Sequence, residues 1–321
     1  MILFPRSTCG CNFTAKADMR SKRNKTIDFS AEDGAEYLNK CVSASDFNGE
    51  ENVIILGDFF SALNGVKDAS VDLLIVDPPY NLFKDFGGSR FNKLGCKEYA
   101  DYTEKWMNAV LPKLKKTASV YVCCDWESSL VIGTVMKKYF TLRNRITWER
   151  EKGRGAKRNW KNSMEDIFFA TVGSDYKFNL DAVKIRRKVL APYKENGEPK
   201  DWTETKDGKF RDTCPSNFWD DISVPYWSMA ENTAHPTQKP EKLIAKLILA
   251  SSDTGDLVLD PFAGSGTTAV VAKKLGRRFI GIEQNPTYCA WAEYRLEKAE
   301  EDDSIQGFKD GVFWDRNAKI R

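Results

Sequence analysis

Histidine is almost missing: His235 stands alone among 321 residues. The eight cysteines (Cys9, Cys11, Cys41, Cys96, Cys123, Cys124, Cys214 and Cys289) form no C-x-x-C pair. A zinc site, or any other metal site, is therefore not expected, and the thiols read as reduced and partly buried. No run of 18 apolar residues occurs, so neither a transmembrane helix nor a membrane partner is expected. The first residues, MILFPRSTCGCNF, lack an apolar stretch of signal-peptide length, which predicts a cytoplasmic protein. Neither G-x-G-x-x-G nor G-x-x-x-x-G-K-[ST] occurs, which disfavours P-loop phosphate chemistry. Repeats and low-complexity tracts are absent too. So is a large net charge: Lys+Arg 49 against Asp+Glu 46 leave +3.

What is present is an ordinary globular composition, 41% apolar, 12% aromatic and 30% charged. That supports one large core, or a core with a smaller module, and excludes disordered, collagen-like and coiled-coil chains. Near-neutral charge does not exclude a nucleic-acid partner, because its distribution matters more. Arg143 to Lys161 holds eight basic residues against two acidic, and Lys184 to Arg211 nine against five. Glu293 to Asp303 reverses the sign, with six acidic residues against two basic.

The chain divides by pattern. Residues 1–35 read as a loosely ordered arm with a basic stretch, Met19 to Lys25, where Met19 is an alternative start. Residues 36–180 read as α/β. The β-branched runs Asn52–Leu56 and Val71–Asp77 predict buried strands of a mostly parallel sheet. Ser119–Cys124, Arg145–Trp148 and Asp166–Val172 predict three more. Tyr102, Trp106, Val110 and Leu114 mark one helix face, with a kink at Pro112. Residues 181–233 break the pattern with Gly, Pro, Asn and dense charge, as long loops or a small module. In residues 234–300, a helix after Pro240, the strand Leu257–Asp260, a Gly-rich turn and helix, the strand Arg278–Glu283 and a helix capped by Asn285 restore it. Residues 301–321 read as a C-terminal tail.

Two motifs carry chemistry. Asp260-Pro261-Phe262-Ala263-Gly264-Ser265-Gly266-Thr267-Thr268 joins a strand to a helix. Its glycines let a ligand approach the backbone, and free amides at the helix start suit an anion. Glu283 ends the next strand, where an acid accepts from ribose hydroxyls in many α/β folds. The second motif is Asp77-Pro78-Pro79-Tyr80, at the end of the strand VDLLIV. Two prolines fix an extended backbone there, at the edge where open α/β sheets bind ligands.

Together, DPPY followed about 180 residues later by FAGSGT resembles the DNA amino-methyltransferases that use S-adenosylmethionine. The order resembles their circularly permuted β group. HPTQKP (His235–Pro240) and LGD (Leu56–Asp58) match that group too. The resemblance covers roughly residues 50–180 and 234–298. It implies a doubly wound, mostly parallel Rossmann-like α/β sheet with a loop-rich target-recognition insertion at 181–233.

The resemblance also implies methyl transfer from a sulfonium to an exocyclic base nitrogen, with no metal. That nitrogen is a poor nucleophile because its lone pair is delocalised into the ring. Asp77 and the Pro78 carbonyl would grip the NH2 hydrogens and concentrate the lone pair. Pro79 would hold the turn, and Tyr80 would stack on a base flipped out of the duplex. The same analogy places Phe262 to Thr267 around the methionine part of the cofactor and Glu283 on the ribose. It places Asp58 on the adenine amine, Thr237 and Lys239 on the methionine carboxylate, and His235 in a positioning or helix-entry role nearby. Gly57, Asp77, Asp260, Pro261, Gln284 and Asn285 are further cofactor-binding candidates.

The Asp in DPPY resembles adenine-N6 enzymes, whereas the cytosine-N4 group more often has Ser there; a carboxylate can grip either amine. Arg150, Lys152, Arg154, Lys157, Arg158 and Lys161 are candidate phosphate contacts, with Arg186, Arg187, Lys188 and Arg211 beyond them. Asn81 to Lys93 is expected to form a lid over the target base. The expected partner is double-stranded DNA. A homodimer and a cognate restriction endonuclease stay open, as do a methyltransferase of RNA or of a protein amide and a non-catalytic DNA-binding protein on this scaffold.

Overall fold

The computed structural model describes residues 21–81, 84–86, 89–91, 93–150, 157–190, 193–206 and 208–316. Its main sheet contains nine strands: β1 (Val42–Ser43), β2 (Val53–Leu56), β3 (Val71–Val76), β4 (Leu114–Cys124), β5 (Thr141–Glu149), β6 (Met164–Thr171), β10 (Phe218–Trp219), β11 (Leu257–Asp260) and β12 (Arg278–Glu283). Their spatial order is β1-β2-β12-β11-β3-β4-β6-β5-β10. Every neighbouring pair is parallel except the two that β6 makes, with β4 and with β5.

The central strands β3 and β11 are buried on both faces, and their side chains alternate between two cores, as the two-residue period of a strand requires. Leu73 and Ile75 of β3 face one core, together with Tyr121 and Cys123 of β4. That side is covered by α5 (Glu241–Ser251), α6 (Thr267–Lys274) and α7 (Pro286–Glu301), through Leu243, Leu247, Val271 and Ala292. Leu74 and Val76 face the other, under α2 (Phe59–Leu63), α3 (Cys96–Val110) and α4 (Trp126–Met136); the short α1 (Ala35–Leu38) precedes β1. The sheet is thus doubly wound. Side-chain caps start three of these helices: Asp58 accepts from Ser61 N–H, Asp125 from Ser128 N–H, and Asn285 from Thr287 and Tyr288 N–H.

Three expectations change. The helix over Tyr102 to Val110 does not kink at Pro112 but ends at Val110; Leu111–Lys113 make a 3-10 turn and Leu114 opens β4. Proline lacks the N–H and clashes with the carbonyl four residues back, so the chain leaves the helix. The insertion combines loops with a small module. Its strands β7 (Ile185–Lys188), β8 (Thr203–Thr205) and β9 (Gly208–Thr213) build a second sheet. The C-terminal segment is not a tail through residue 316, because β13 (Phe308–Lys309) and β14 (Val312–Trp314) complete that sheet, β14 lying parallel to β7. Nor is the N-terminal arm loose from residue 21. Ile27 bridges Thr233, and the Phe29 carbonyl accepts from Trp291 Nε1 at 2.9 Å while its ring packs on Trp291 and Tyr294. Residues 1–20 lie outside the described residues.

A buried charge cluster ties α5 to the segment after β10, and to β14 of the second sheet through Lys242 on the Trp314 carbonyl and Lys246 over the Phe313 ring. Lys246 Nζ holds both Asp221 oxygens, at 2.7 and 2.8 Å, and Lys242 Nζ reaches the same carboxylate at 2.8 Å. The Trp219 ring lies 4.8 Å from the Lys246 ammonium. Trp219 is accordingly a buried anchor, while Trp227 is half exposed.

Candidate active site

The two motifs meet at the carboxyl edge of the parallel strands. Asp77 to Tyr80 leave the end of β3, and the Gly-rich turn leaves the end of its neighbour β11. A cavity of about 330 Å³ opens between them, within the usual size range of ligand pockets. Asp77, Pro78, Pro79 and Tyr80 line it from one side; Asp260, Pro261, Phe262, Ala263, Gly264, Ser265 and Thr267 line it from the other. Gly57, Asp58, His235, Thr237, Lys239, Glu283 and Gln284 line it as well. Gly266 and Asn285 do not reach the cavity; Gly266 starts α6, and Asn285 caps α7 with its side chain and donates its N–H to Glu283. Phe59, Tyr102 and Trp106 also line it, with Phe59 stacked on Phe262 at 5.5 Å. These aromatics were not legible as site residues.

Gly266 caps α6 with φ +77°. A Cβ there would stand 2.5 Å from the Ala292 Cβ and 2.9 Å from its Cα. Neither the left-handed backbone nor the approach of α7 admits a side chain. Gly266→Ala is expected to cost about 2–4 kcal/mol from the combined strain and overpacking. Thermal denaturation checks the stability loss, and calorimetry checks the parallel loss of ligand affinity. The same buried link is made by Arg295 of α7, which donates to the Ser265 carbonyl at 2.8 Å and to Thr267 Oγ1 at 3.0 Å.

The acids around the turn are held by the main chain. Glu283 accepts from Gly264 N–H at 2.9 Å and from Asn285 N–H at 2.8 Å. Burial raises its carboxyl above the ordinary glutamate value, with those amides opposing the shift. Asp260 accepts from Thr268 Oγ1 at 2.5 Å and from Phe262 N–H at 3.0 Å. Burial pushes its carboxyl up to about 7 from 3.8. Between those values the folded protein keeps a proton that the unfolded chain has released. This group therefore favours folding below pH 4, and the contribution is lost as pH rises through 7. Asp260→Asn is expected to flatten that part of the stability profile, measured by urea denaturation at pH 5 to 8.

His235 lies over the turn. A Cβ on Gly264 would stand 3.1 Å from its Nε2, its Nδ1 accepts from Thr237 N–H at 3.3 Å, and its ring meets Tyr288 edge-on at 4.5 Å. Asp58 uses Oδ1 to cap α2.

The DPPY side is a dense polar cluster. Lys239 Nζ donates to Asp77 Oδ2 at 2.6 Å and to Tyr80 Oη at 3.1 Å, and lies 3.3 Å from Glu165. The Tyr80 hydroxyl donates to Asp77 Oδ1 at 2.8 Å and lies 3.2 Å from Glu165 Oε2. Arg150 reaches the other Glu165 oxygen at 2.5 Å. Burial alone would lower the Lys239 ammonium, but Asp77 and Glu165 reverse this and raise it above the ordinary lysine value. Burial and the same two carboxylates keep the Tyr80 phenol protonated, well above the ordinary tyrosine value.

Lys239 points to the DPPY carboxylate, because a buried ammonium needs its counter-ion at hand; it also lines the cavity. The bonds to the Tyr80 hydroxyl fix its ring. Glu165, 4% exposed, is a site residue that the sequence reading missed.

The DNA methylase family of N6/N4 type matches residues 71–294. This chain belongs to that family. The methylase is 38% identical over 264 residues to the DNA adenine methyltransferase YhdJ of Escherichia coli strain K12, covering 79% of this chain and 85% of that one. It is 34% identical to the type II methyltransferase M1.MboII of Moraxella bovis, covering 78% and 98%. Among solved structures, the cytosine-N4-specific PvuII DNA methyltransferase aligns with a TM-score of 0.59 at 20% identity, covering 79% of this chain and 92% of that one.

The cations expected to meet DNA divide. In the methylase, Lys157, Arg158, Lys161 and Lys188 are exposed. Arg150 is taken up by Glu165, Arg186 forms a two-pronged pair with Asp212 at 2.7 Å, and Arg211 pairs with Asp201 at 2.7 Å. Arg187 lies 3.5 Å from Asp220 and 3.6 Å from Asp315. The register of β7 and β9 sets Asp212 directly opposite Arg186. Lys152 and Arg154 lie outside the described residues. So do residues 82, 83, 87, 88 and 92 of the expected lid; Lys84–Phe86 and Ser89–Phe91 pair as an antiparallel hairpin, and its base is pinned where Asn81 and Leu94 exchange hydrogen bonds of 2.6 and 2.9 Å.

Among the described residues no cluster of His, Cys, Asp or Glu could hold a metal, and no helix is long and apolar enough to cross a membrane. The described cysteines are free, with Cys123 and Cys124 buried in β4.

Proposed function

We propose that this chain methylates the N6 amine of adenine in double-stranded DNA, using S-adenosylmethionine, on a base flipped out of the helix, and that it belongs to the permuted β group. The observation that carries this reading is the single cavity that joins the DPPY carboxylate to the Gly-rich turn and Glu283. The permuted order is supported by topology. β11 and β12, late in the chain, sit in the sheet between β2 and β3.

The residues fit the cofactor. Glu283, fixed by two amides, offers carboxylate oxygens to ribose hydroxyls; Phe59, Phe262 and Trp106 offer flat apolar surface to an adenine ring; the turn offers backbone approach. When bound, S-adenosylmethionine supplies an electrophilic methyl group. The chain's own residues do the rest. Asp77 and the Pro78 carbonyl accept the amine hydrogens and hold the nitrogen lone pair out of the ring. Lys239 holds Asp77 in its orientation through the bond to Oδ2. Asp77 has no need to act as a base, since water can take the departing proton. Lys157, Arg158, Lys161 and Lys188 supply phosphate contacts.

Adenine is favoured over cytosine by Asp at position 77 and by the 38% identity to an adenine methyltransferase. Cytosine-N4 is the second reading, because a carboxylate grips either amine. Mass spectrometry of nucleosides, after incubation with S-adenosylmethionine and unmethylated DNA, decides between them. N6-methyladenine supports the proposal, N4-methylcytosine overturns the base, and no methylated base overturns the substrate.

A further inference from the structure

Glu165 and Lys239 come from distant parts of the chain. Glu165 is the second residue of β6, and Lys239 stands two residues before the start of α5. Both are buried, at 4% and 6% exposure, and both converge on the Asp77–Tyr80 pair. Two carboxylates and two cations alternate there: Arg150, Glu165, Lys239, Asp77. A buried ion is expensive unless its partners are well placed, so such a quartet has few alternative arrangements.

We infer that Glu165 and Lys239 are positioning residues, which hold Asp77 and the Tyr80 ring in the one orientation that grips the target amine. The geometry assigns each a task. Lys239 occupies Asp77 Oδ2 and Tyr80 occupies Oδ1, each along one direction only. That leaves the remaining lone pairs of the carboxylate for an incoming NH2 group. Glu165 in turn fixes both of those partners, at 3.3 Å from the ammonium and 3.2 Å from the hydroxyl. Arg150 fixes Glu165 from the far side. Without Glu165, Lys239 and Arg150 would face each other across a buried gap, and Lys239 would be drawn over Asp77. This inference rests on the proposed amino-methyltransferase reading and extends it to residues outside the DPPY and Gly-rich motifs.

The test uses the full chain, with Glu165→Gln, Lys239→Gln, Lys239→Arg and the double Glu165→Gln/Lys239→Gln variant. Methyl transfer into unmethylated DNA gives kcat and KM, and calorimetry gives the affinity for S-adenosylhomocysteine. Misplacing a reacting group by an ångström costs about a hundredfold in rate. Glu165→Gln and Lys239→Gln are therefore each expected to lower kcat by roughly ten- to a hundredfold. KM for DNA and the affinity for S-adenosylhomocysteine should stay within about threefold, Lys239→Arg should recover most of the loss, and the double variant should be no slower than the slower single one.

A fall in S-adenosylhomocysteine affinity that matches the fall in kcat for Lys239→Gln would overturn the inference and return Lys239 to the cofactor. Independent, multiplying losses in the double variant would overturn it too. The nearly isosteric Glu165→Gln and Lys239→Arg keep the test open if Lys239→Gln does not fold. Wild-type protein that methylates no DNA base sinks the substrate reading before any variant is compared. The variants would then be judged on S-adenosylhomocysteine affinity alone, where a loss overturns the positioning role.

Discussion

Replacing Asp77 by alanine is expected to lower methyl transfer to DNA by about 10²–10³-fold while cofactor affinity changes little. Removing one preorganised hydrogen-bonding group aimed at a reacting centre costs about that much in kcat. Asp77 sits at the cavity wall with its two oxygens already oriented by Lys239 and Tyr80. The alanine leaves the amine with the Pro78 carbonyl alone, and its nitrogen stays conjugated with the ring. Asp77→Asn keeps one acceptor and the side-chain shape, so it should fall between wild type and alanine. Transfer of a tritiated methyl group to DNA gives the rate, and calorimetry confirms that the cavity still binds S-adenosylhomocysteine. An alanine variant with wild-type kcat would end the role given to Asp77.

The largest stability effect is expected away from the cavity, at Asp221. Its carboxylate neutralises Lys246 and Lys242, all three within the core between α5 and the second sheet. Burial would raise the Asp221 carboxyl, and the two lysines outweigh it and lower it below the ordinary aspartate value. Asp221→Ala leaves two buried ammonium groups without their counter-ion, a loss of about 3–5 kcal/mol. At roughly 2–4 °C per kcal/mol, the midpoint of thermal unfolding should drop by roughly ten degrees.

The pH dependence has a definite sign. Burial pushes Lys246 down to about 8 from 10.5. Between those values the unfolded chain holds a proton that the folded one has released. This lysine therefore favours folding above pH 10.5, and that contribution is lost as pH falls through 8. Asp221→Ala should consequently be more damaging at pH 6 than at pH 9. Melting curves at the two pH values test this; an equal drop at both would show that the ammonium charge is not what Asp221 neutralises.

Much of the fold was legible because its signals are local. VDLLIV and LVLD are continuous apolar runs, as strands buried on both faces must be, and Gly264 and Gly266 lie where the turn needs a left-handed backbone. What escaped was long-range. Glu165 looks like a solvated charge at the start of a strand, and its partner Lys239 is 74 residues away. Arg186 reads as an exposed cation until the register places Asp212 opposite it. Val312–Trp314 is too short to announce a strand, and its partner Ile185–Lys188 lies more than 120 residues earlier. The helix α4 did have a local signal, Asp125 as a cap three residues before Ser128, but its apolar run SLVIGTVM has no clear polar face.

The strand order has a consequence for how the chain is made. β2 and β3 follow one another in sequence, yet the strands that separate them in the sheet are formed by residues 257–283. During synthesis, the amide and carbonyl edges of both strands are left open until about two hundred further residues have left the ribosome. Open edges of apolar strands pair readily with other chains. The half that carries DPPY therefore cannot close on its own, and the last third of the polypeptide acts as the keystone of the first.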